Sequence, residues 1–304
     1  MFRRLLYLNG LAIAGVVLFH SAGMGFVAMF SWAHRYLPAA VDPMAQIGSA
    51  EYFGLRFLEQ IASFAIPAFL FVSGFFIAVA TGKNSRTISW KVVAARVRTL
   101  LIPYLLWTFV VIALQILLEG KRFTAGNLAI DLLIGRTNEI LYFVPLLIQF
   151  YIISPVLVLF ARKNWRLFLG VTAAIQLVII LLPYMVYLNL DIPNKQAIAY
   201  FVPKWFFLAR IFWFSAGIVV GFHLEHFKPL FHRLRRVGVV VALASIPLGM
   251  LEWELLFRLS GETWLANRET LVDTLYALAF ITVVLGFQQA RLPFEHGFER
   301  LGKD

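Results

Sequence analysis

Two polar side chains in an otherwise apolar stretch near the N-terminus could do chemistry. The segment YLNGLAIAGVVLFHS carries Asn9 near its start and His20 close to its end. Eleven residues separate them, about three turns of an α-helix, so both side chains would project from nearly the same face. A histidine, with an ordinary pKa of about 6.5, can act as a general base at neutral pH. The alternative is that His20 is a packing residue at a helix contact.

A second apolar segment begins with a polar stripe. Arg56, Glu59, Gln60 and Ser63 recur at intervals of three and four residues, so they would share one helix face. The stripe could bind a polar acceptor, or Arg56 and Glu59 could form a pair within the helix. Ser73 lies further along, where small residues allow either close packing or an opening between helices.

A third charge lies inside an apolar segment that starts near residue 203. Arg210 needs an internal partner, and Asp273 is at a comparable depth in the last segment. The two could form a structural pair or part of an acceptor site. His223, His226 and His232 lie in a basic stretch without the spacing or the carboxylates of a metal site. The sequence therefore predicts no metal.

Cations collect before the third apolar segment, in the stretch KVVAARVRTLLIPYLLW. Lys91, Arg96 and Arg98 precede Tyr104 by a few turns, an arrangement that favours a docked anion. Guanidinium groups suit phosphates, so a phosphorylated ligand is one interpretation. Phosphates of membrane lipids would satisfy the same residues.

Long apolar runs must position these groups. Apolar residues make up 61% of the chain and charged residues 14%, proportions outside the usual range of soluble domains. Runs of about 20 apolar residues predict eight membrane-spanning helices. They lie near residues 5–30, 55–81, 99–118, 140–160, 167–188, 203–222, 237–257 and 270–287. The chain is therefore predicted to be an all-α integral membrane protein, a polytopic helical bundle in which residues 1–304 form a single domain.

The basic residues are distributed unevenly between the two sides of this bundle. With a cytoplasmic N-terminus, the inner segments carry a net charge of +13 and the rest of the chain −2. The positive-inside rule predicts this asymmetry. Orientation and anionic membrane lipids therefore explain the overall charge of +11, and nucleic-acid binding is excluded.

Two further features narrow the chemistry and the topology. The chain has no cysteine, which excludes disulfides and cysteine-based metal sites or nucleophiles. The first apolar run is longer than the core of a signal peptide, so it is predicted to be a retained span.

Four stretches together resemble the acyltransferase 3 family of integral membrane acyltransferases. They are LNGLAIAGVVLFH, IPAFLFVSGFF, RVRTLLIPYLLW and LYFVPLLIQFYIISPVL, in the family's order and spacing. The family usually has Arg or Lys at the position of Asn9, whereas related lysosomal-type transmembrane acetyltransferases have Asn. The family also has about ten spans and a final helix that this chain lacks, so the resemblance implies a truncated C-terminus.

The resemblance implies transfer of an acyl group, often acetyl from acetyl-CoA, to a hydroxyl of an extracytoplasmic glycan or envelope molecule. His20 falls on the family's catalytic histidine, with Asn9 as its helper, and no permanently bound cofactor is expected. The partners implied are acyl-CoA, a carbohydrate or other hydroxyl-bearing acceptor, and membrane lipids, in a bacterial inner membrane. Expected acyl-CoA-binding residues are Arg96, Arg98, Lys91, Tyr104 and Ser73. Expected acceptor-binding residues are Arg56, Glu59 and Arg210.

Two other classes of function remain open at this point. A transporter or flippase of a lipid-linked or polar envelope substrate would also bury charges along a pathway. A non-catalytic assembly subunit would retain the same spans without needing His20. Whether the acyl group passes directly to the acceptor or through an acyl-histidine is also open.

Overall fold

The structure is a computed structural model that describes residues 1–31, 43–138, 140–262, 265, 269–288, 290 and 292–303. Every regular element in these ranges is a helix, which confirms the predicted all-α class. The chain forms two compact units. The first comprises Met1–Val72, Pro183–Lys195 and Leu224–Asp304, and the second comprises Ser73–Leu182 and Gln196–His223. Each unit is described by itself.

The first unit is built on the N-terminal helix and on two helices from the C-terminal third of the chain. Its helices are α1 (Phe2–Ser31), α2 (Ala50–Ala62), the first half of α3 (Ala65–Thr81), α8 (Tyr184–Tyr187), α11 (Leu224–Ser260), α12 (Leu271–Gly286) and α13 (Glu295–Leu301). A short 3₁₀ turn, Pro43–Gln46, precedes α2. α1 packs on α2 and α13, while α11 packs on α2 and α12.

The second predicted span is interrupted near its middle. α2 begins after the N-cap Ser49, whose hydroxyl accepts from the amide of Tyr52, and it ends at Ala62. α3 begins at Ala65 and has Pro67 in its first turn, where the missing N–H of proline costs nothing. The break between the two helices therefore lies before Pro67.

The second unit consists of the helices that follow in the middle of the chain. These are the second half of α3, α4 (Trp90–Glu119), α5 (Ala125–Ile134), α6 (Phe143–Lys163), α7 (Trp165–Leu181), α9 (Lys195–Ala199) and α10 (Ile211–Phe222). Close backbone contact holds α3 against α10, because an added Cβ at Gly74 would lie 2.0 Å from the carbonyl oxygen of Phe214. α6 and α7 pack on the other sides of α10.

Two of the basic inner segments lie before predicted spans, at residues 82–98 and 223–236, and are largely helical. α4 begins at Trp90, with Ser89 as its N-cap, so residues 90–98 form its first turns. α11 begins at Leu224 and runs for 37 residues, about 55 Å. That length exceeds the roughly 30 Å of a hydrocarbon core, which leaves its basic first turns to extend beyond it.

Six segments in the described ranges are helical, long and apolar enough to cross a membrane, when α2 with α3 and α7 with α8 are each counted as one span. The two other predicted spans correspond to the shorter apolar helices Phe207–Phe222 and Leu271–Gly286. At 16 residues each, they would reach about 24 Å. The prediction of eight spans and a cytoplasmic N-terminus therefore stays a prediction.

Candidate functional site

Helix α1 carries both Asn9 and His20. Because α1 is unbroken from Phe2 to Ser31, the two side chains project within about 20° of each other. The same geometry separates them by about 16 Å along the axis. The Asn9 carboxamide instead donates to the carbonyl oxygen of Gly302, at 3.0 Å. Asn9 does not reach the imidazole in this arrangement, and its predicted part as a catalytic helper stays a prediction.

His20 lies on a side of α1 other than the one that packs on α2 and α3. An added Cβ at Gly15 would lie 3.0 Å from the Ala65 methyl group, and one at Gly25 would lie 2.6 Å from Leu55. His20 is five residues from each of these glycines, which places it about 140° around the helix from either. The imidazole therefore points away from this packed face.

The surface beside His20 is accessible. The imidazole is half-buried, and its ring centre lies 5.9 Å from that of Phe19, edge to face. Val17 and Met24, which flank it on the same side of the helix, are 62% and 52% exposed. This side of the helix around His20 is therefore not packed against α2 or α3.

A cationic groove lies on the first turns of α4, within the second unit. It has a volume of about 560 Å³, within the range of small-molecule sites. Lys91 and Arg96 line it together with Thr99 and Tyr151, and the Arg96 guanidinium carbon lies 5.7 Å from the centre of the Tyr151 ring. Cations, a hydroxyl and an aromatic ring together suit an anionic, partly aromatic ligand such as a nucleotide.

The other residues predicted to bind acyl-CoA lie elsewhere. Arg98 is two residues from Arg96, about 200° around α4, and it is exposed outside the groove. Tyr104 is buried, and its hydroxyl donates to the carbonyl oxygen of Leu132 at 2.7 Å. Ser73 is buried on α3. The structure therefore places only Lys91 and Arg96 of the predicted set in the groove.

Thr99 and Tyr151 were missed by sequence reasoning. Residues 91, 92, 95, 96, 99 and 100 share one helix face, a pattern that is visible only if the helix begins before residue 91. The sequence places its start near residue 99 because apolar residues dominate only from that point. No sequence pattern points to Tyr151 as a groove residue, since it belongs to the apolar run of α6.

The polar stripe of α2 is buried within the first unit. The guanidinium of Arg56 donates to the carboxylate of Glu59, which is the predicted pair within the helix. The guanidinium carbon also lies 3.2 Å from the centre of the Trp253 ring and 5.6 Å from that of Phe26. Arg56 is therefore held by a carboxylate and two rings, a contact that balances its charge away from water.

Neighbouring residues extend this network across α11 and α12. The amide of Gln60 donates to Asp273 at 2.9 Å, and the hydroxyl of Tyr52 donates to Glu254 at 3.0 Å. Gly249 leaves the room for Gln60, because an added Cβ there would lie 2.4 Å from its amide nitrogen. Asp273 also closes a capping box at the start of α12.

Arg210 belongs to the second unit, where it ends the 3₁₀ turn Phe207–Arg210 and is half-buried. Its predicted roles, as a partner of Asp273 or as an acceptor-binding residue, stay predictions. Among the described residues, no group of three or more His, Cys, Asp or Glu side chains could hold a metal ion.

A family model described as an acyltransferase domain matches residues 4–295. The chain belongs to the acyltransferase 3 family. This confirms the family prediction, and with the six long apolar helices it indicates a multi-pass membrane acyltransferase. Neither a curated protein nor a solved structure matches the chain.

The match gives a family setting to the groups already described. His20, the α2 stripe and the α4 groove all lie within the matched residues of this acyltransferase 3 protein. The helix α13 lies almost entirely beyond them, since the match ends at its first residue, Glu295.

Proposed function

We propose that this acyltransferase moves an acyl group, most simply acetyl, from cytoplasmic acyl-CoA to a hydroxyl of an extracytoplasmic carbohydrate or envelope molecule. The observation that carries the proposal is the position of His20. It is a half-buried imidazole on an apolar helix, turned away from α2 and α3, within the residues matched by the acyltransferase family. An ionisable side chain in such a helix carries an energetic cost, so its presence is by default evidence for a function.

The groove on α4 supports the choice of donor. CoA carries phosphates and an adenine ring, and the groove offers the Arg96 guanidinium, the Lys91 ammonium and the Tyr151 ring. We propose that Arg96 and Lys91 bind the phosphates, since guanidinium groups form paired hydrogen bonds with them. The basic inner segments support a cytoplasmic location for this groove. The bacterial inner membrane is proposed from the family resemblance alone.

In the proposed reaction, His20 takes the proton of the acceptor hydroxyl as its oxygen attacks the thioester carbonyl. The carbon–sulfur bond breaks, an ester forms, and the CoA thiolate leaves and takes up a proton. General-base catalysis of this kind contributes about 10²–10⁴ in rate. The polar network around Arg56 and Glu59 is the proposed region for the acceptor, because sugars bind through charged and amide side chains beside aromatic rings. Arg210, in the second unit, is proposed separately as an acceptor-binding residue.

The test uses purified protein in nanodiscs with labelled acetyl-CoA. N-acetylglucosamine oligomers serve as the acceptor, and water takes their place where no oligomer is added. Release of free CoA can be followed with a thiol reagent, since the protein has no cysteine of its own. We expect His20→Ala to lose about 10²–10⁴ of the rate while it still binds acetyl-CoA. An unchanged rate of CoA release and transfer in His20→Ala would remove the proposal.

A further inference from the structure

Backbone contact joins α13 to the first half of α1. An added Cβ at Gly10 would lie 2.0 Å from the carbonyl oxygen of Phe298, and one at Gly302 would lie 2.0 Å from that of Leu6. Because both positions are glycines, the backbones of α1 and α13 approach more closely than a residue with a Cβ atom would allow. The contact therefore depends on two specific residues rather than on general apolar packing.

Side chains of α1 also form ion pairs and hydrogen bonds with residues 293–299, in and just before α13. The Arg3 guanidinium donates to both carboxylate oxygens of Glu299, and Arg4 lies 3.2 Å from the carboxylate of Glu295. The hydroxyl of Tyr7 donates to the carbonyl oxygen of Pro293 at 3.0 Å. Arg4 is almost fully buried, so these contacts between α1 and α13 belong to the folded core of the first unit.

Asn9 completes the contact through its hydrogen bond to the carbonyl oxygen of Gly302. Leu6, Asn9 and Gly10 recur at three and four residues, so α13 covers one stripe of α1. His20 lies further along the same side, because it projects within about 20° of Asn9. Any rotation of α1 that broke the Asn9 contact would turn the imidazole by the same angle.

We propose that α13 fixes the rotation of α1 about its axis and thereby the direction of His20, with Asn9 as a positioning residue. This inference rests on the proposed catalytic role of His20. Asn9 acts through the helix and does not touch the reacting atoms.

The glycine contacts set the size of the effect. A Cβ at position 10 must move from 2.0 Å to at least about 3.0 Å from the Phe298 oxygen. The two helices must therefore separate by about 1 Å, or α1 must rotate far enough to move the two atoms apart by that distance. Misplacement of a catalytic group by about 1 Å can lower a rate about 10²-fold. We therefore expect Gly10→Ala to lower kcat by about 10- to 10²-fold and to leave acetyl-CoA binding unchanged.

The direct test reads the direction of position 20 without needing catalysis. In the cysteine-free chain, His20→Cys supplies a single thiol whose rate of reaction with a small maleimide reports its accessibility. This rate is measured in nanodiscs alone and with Gly10→Ala, Asn9→Ala or Gly297→Ala. Gly297 is the matched control, since it is on α13 and an added Cβ there would meet no atom within 4 Å.

We expect Gly10→Ala and Asn9→Ala to change the labelling rate and Gly297→Ala to leave it unchanged. If Gly10→Ala does not fold, Asn9→Asp replaces it, because it keeps the shape and removes the donor to Gly302. Equal labelling rates in all folded variants would overturn the inference.

Activity measurements separate this inference from the proposed function. Full activity of His20→Ala would remove the proposed function while the labelling result still stood. An inactive His20→Ala beside a fully active Gly10→Ala would remove only the positioning role of α13.

Discussion

At the scale of single residues, the charged side chains divide into those already paired and those that face open space. Arg56 is enclosed by Glu59 and Trp253, so an acceptor that used it would have to compete with these contacts. Arg96 faces the groove of α4, where its guanidinium carbon lies 5.7 Å from the centre of the Tyr151 ring. We therefore expect substitutions of Arg56 to act mainly on stability and substitutions of Arg96 mainly on ligand binding.

Arg96 and Arg98 allow a matched comparison on one helix. Either substitution to Ala removes one positive charge from the same turns of α4, but only Arg96 lines the groove. A lost charge-assisted hydrogen bond of about 1.5–3 kcal/mol corresponds to about a 10- to 10²-fold weaker Kd for acetyl-CoA in Arg96→Ala. For Arg98→Ala we expect a much smaller change. Isothermal titration in nanodiscs measures both, and equal losses would show that charge alone matters.

The contact between Arg3 and Glu299 predicts a dependence on pH. The hydrogen bond from Arg3 holds the pKa of the Glu299 carboxyl below its ordinary value. A lowered pKa in the folded protein means that this stabilisation is present above the ordinary value of about 4.3 and is lost as the pH falls through the folded value.

We therefore expect the unfolding midpoint of the protein to fall more steeply than that of Glu299→Gln as the pH is lowered below about 4.3. Circular dichroism melts across this range provide the measurement. Parallel curves for the two proteins would argue against the contact.

At the scale of helices, the sequence identified the long apolar elements and missed the short apolar helix α5 and the helical turns that are polar. The predicted spans correspond to helices because a run of apolar residues has no better conformation in a membrane. The starts of α4 and α11 were read as loops because their first turns are basic, and hydropathy does not detect polar helical turns. α13 was missed for the same reason, since its seven residues are mostly polar.

The candidate site was predictable only where one helix carries the information. The shared side of Asn9 and His20 follows from spacing alone, as does the pair of Arg56 and Glu59. The contact of Asn9 with Gly302, 293 residues away, does not follow from spacing. The contact of Trp253 with Arg56 does not follow from spacing either, because both contacts depend on the tertiary fold.

Close packing of α3 on α10 predicts a strong effect of one methyl group. Gly74→Ala would force a Cβ against the Phe214 carbonyl, and we expect it to cost about 1–3 kcal/mol or more. The control is Gly170→Ala on α7, where an added Cβ meets no atom within 4 Å and helix propensity favours Ala. Thermal unfolding in detergent measures both, and a similar midpoint for the two variants would contradict the packing.

At the scale of the whole molecule, orientation in the membrane decides which side supplies the donor. The excess of basic residues in the inner segments predicts that Ser85 is cytoplasmic and Lys121 is on the opposite side. Both residues are exposed, and the chain has no native cysteine.

A membrane-impermeant maleimide added to whole cells should therefore label Lys121→Cys and spare Ser85→Cys until the cells are lysed. Labelling of Ser85→Cys in intact cells would reverse the orientation and would place the groove on the wrong side for cytoplasmic acyl-CoA.

The central claim is that the His20 imidazole is the base of an acyl transfer. Chemical rescue tests it most directly: acetyl transfer by His20→Gly is measured in nanodiscs with and without added imidazole, beside the wild-type protein. We predict a rate lowered by about 10²–10⁴ that rises with imidazole concentration, while imidazole leaves the wild type unchanged. A His20→Gly variant that transfers acetyl at the wild-type rate without imidazole would contradict the claim.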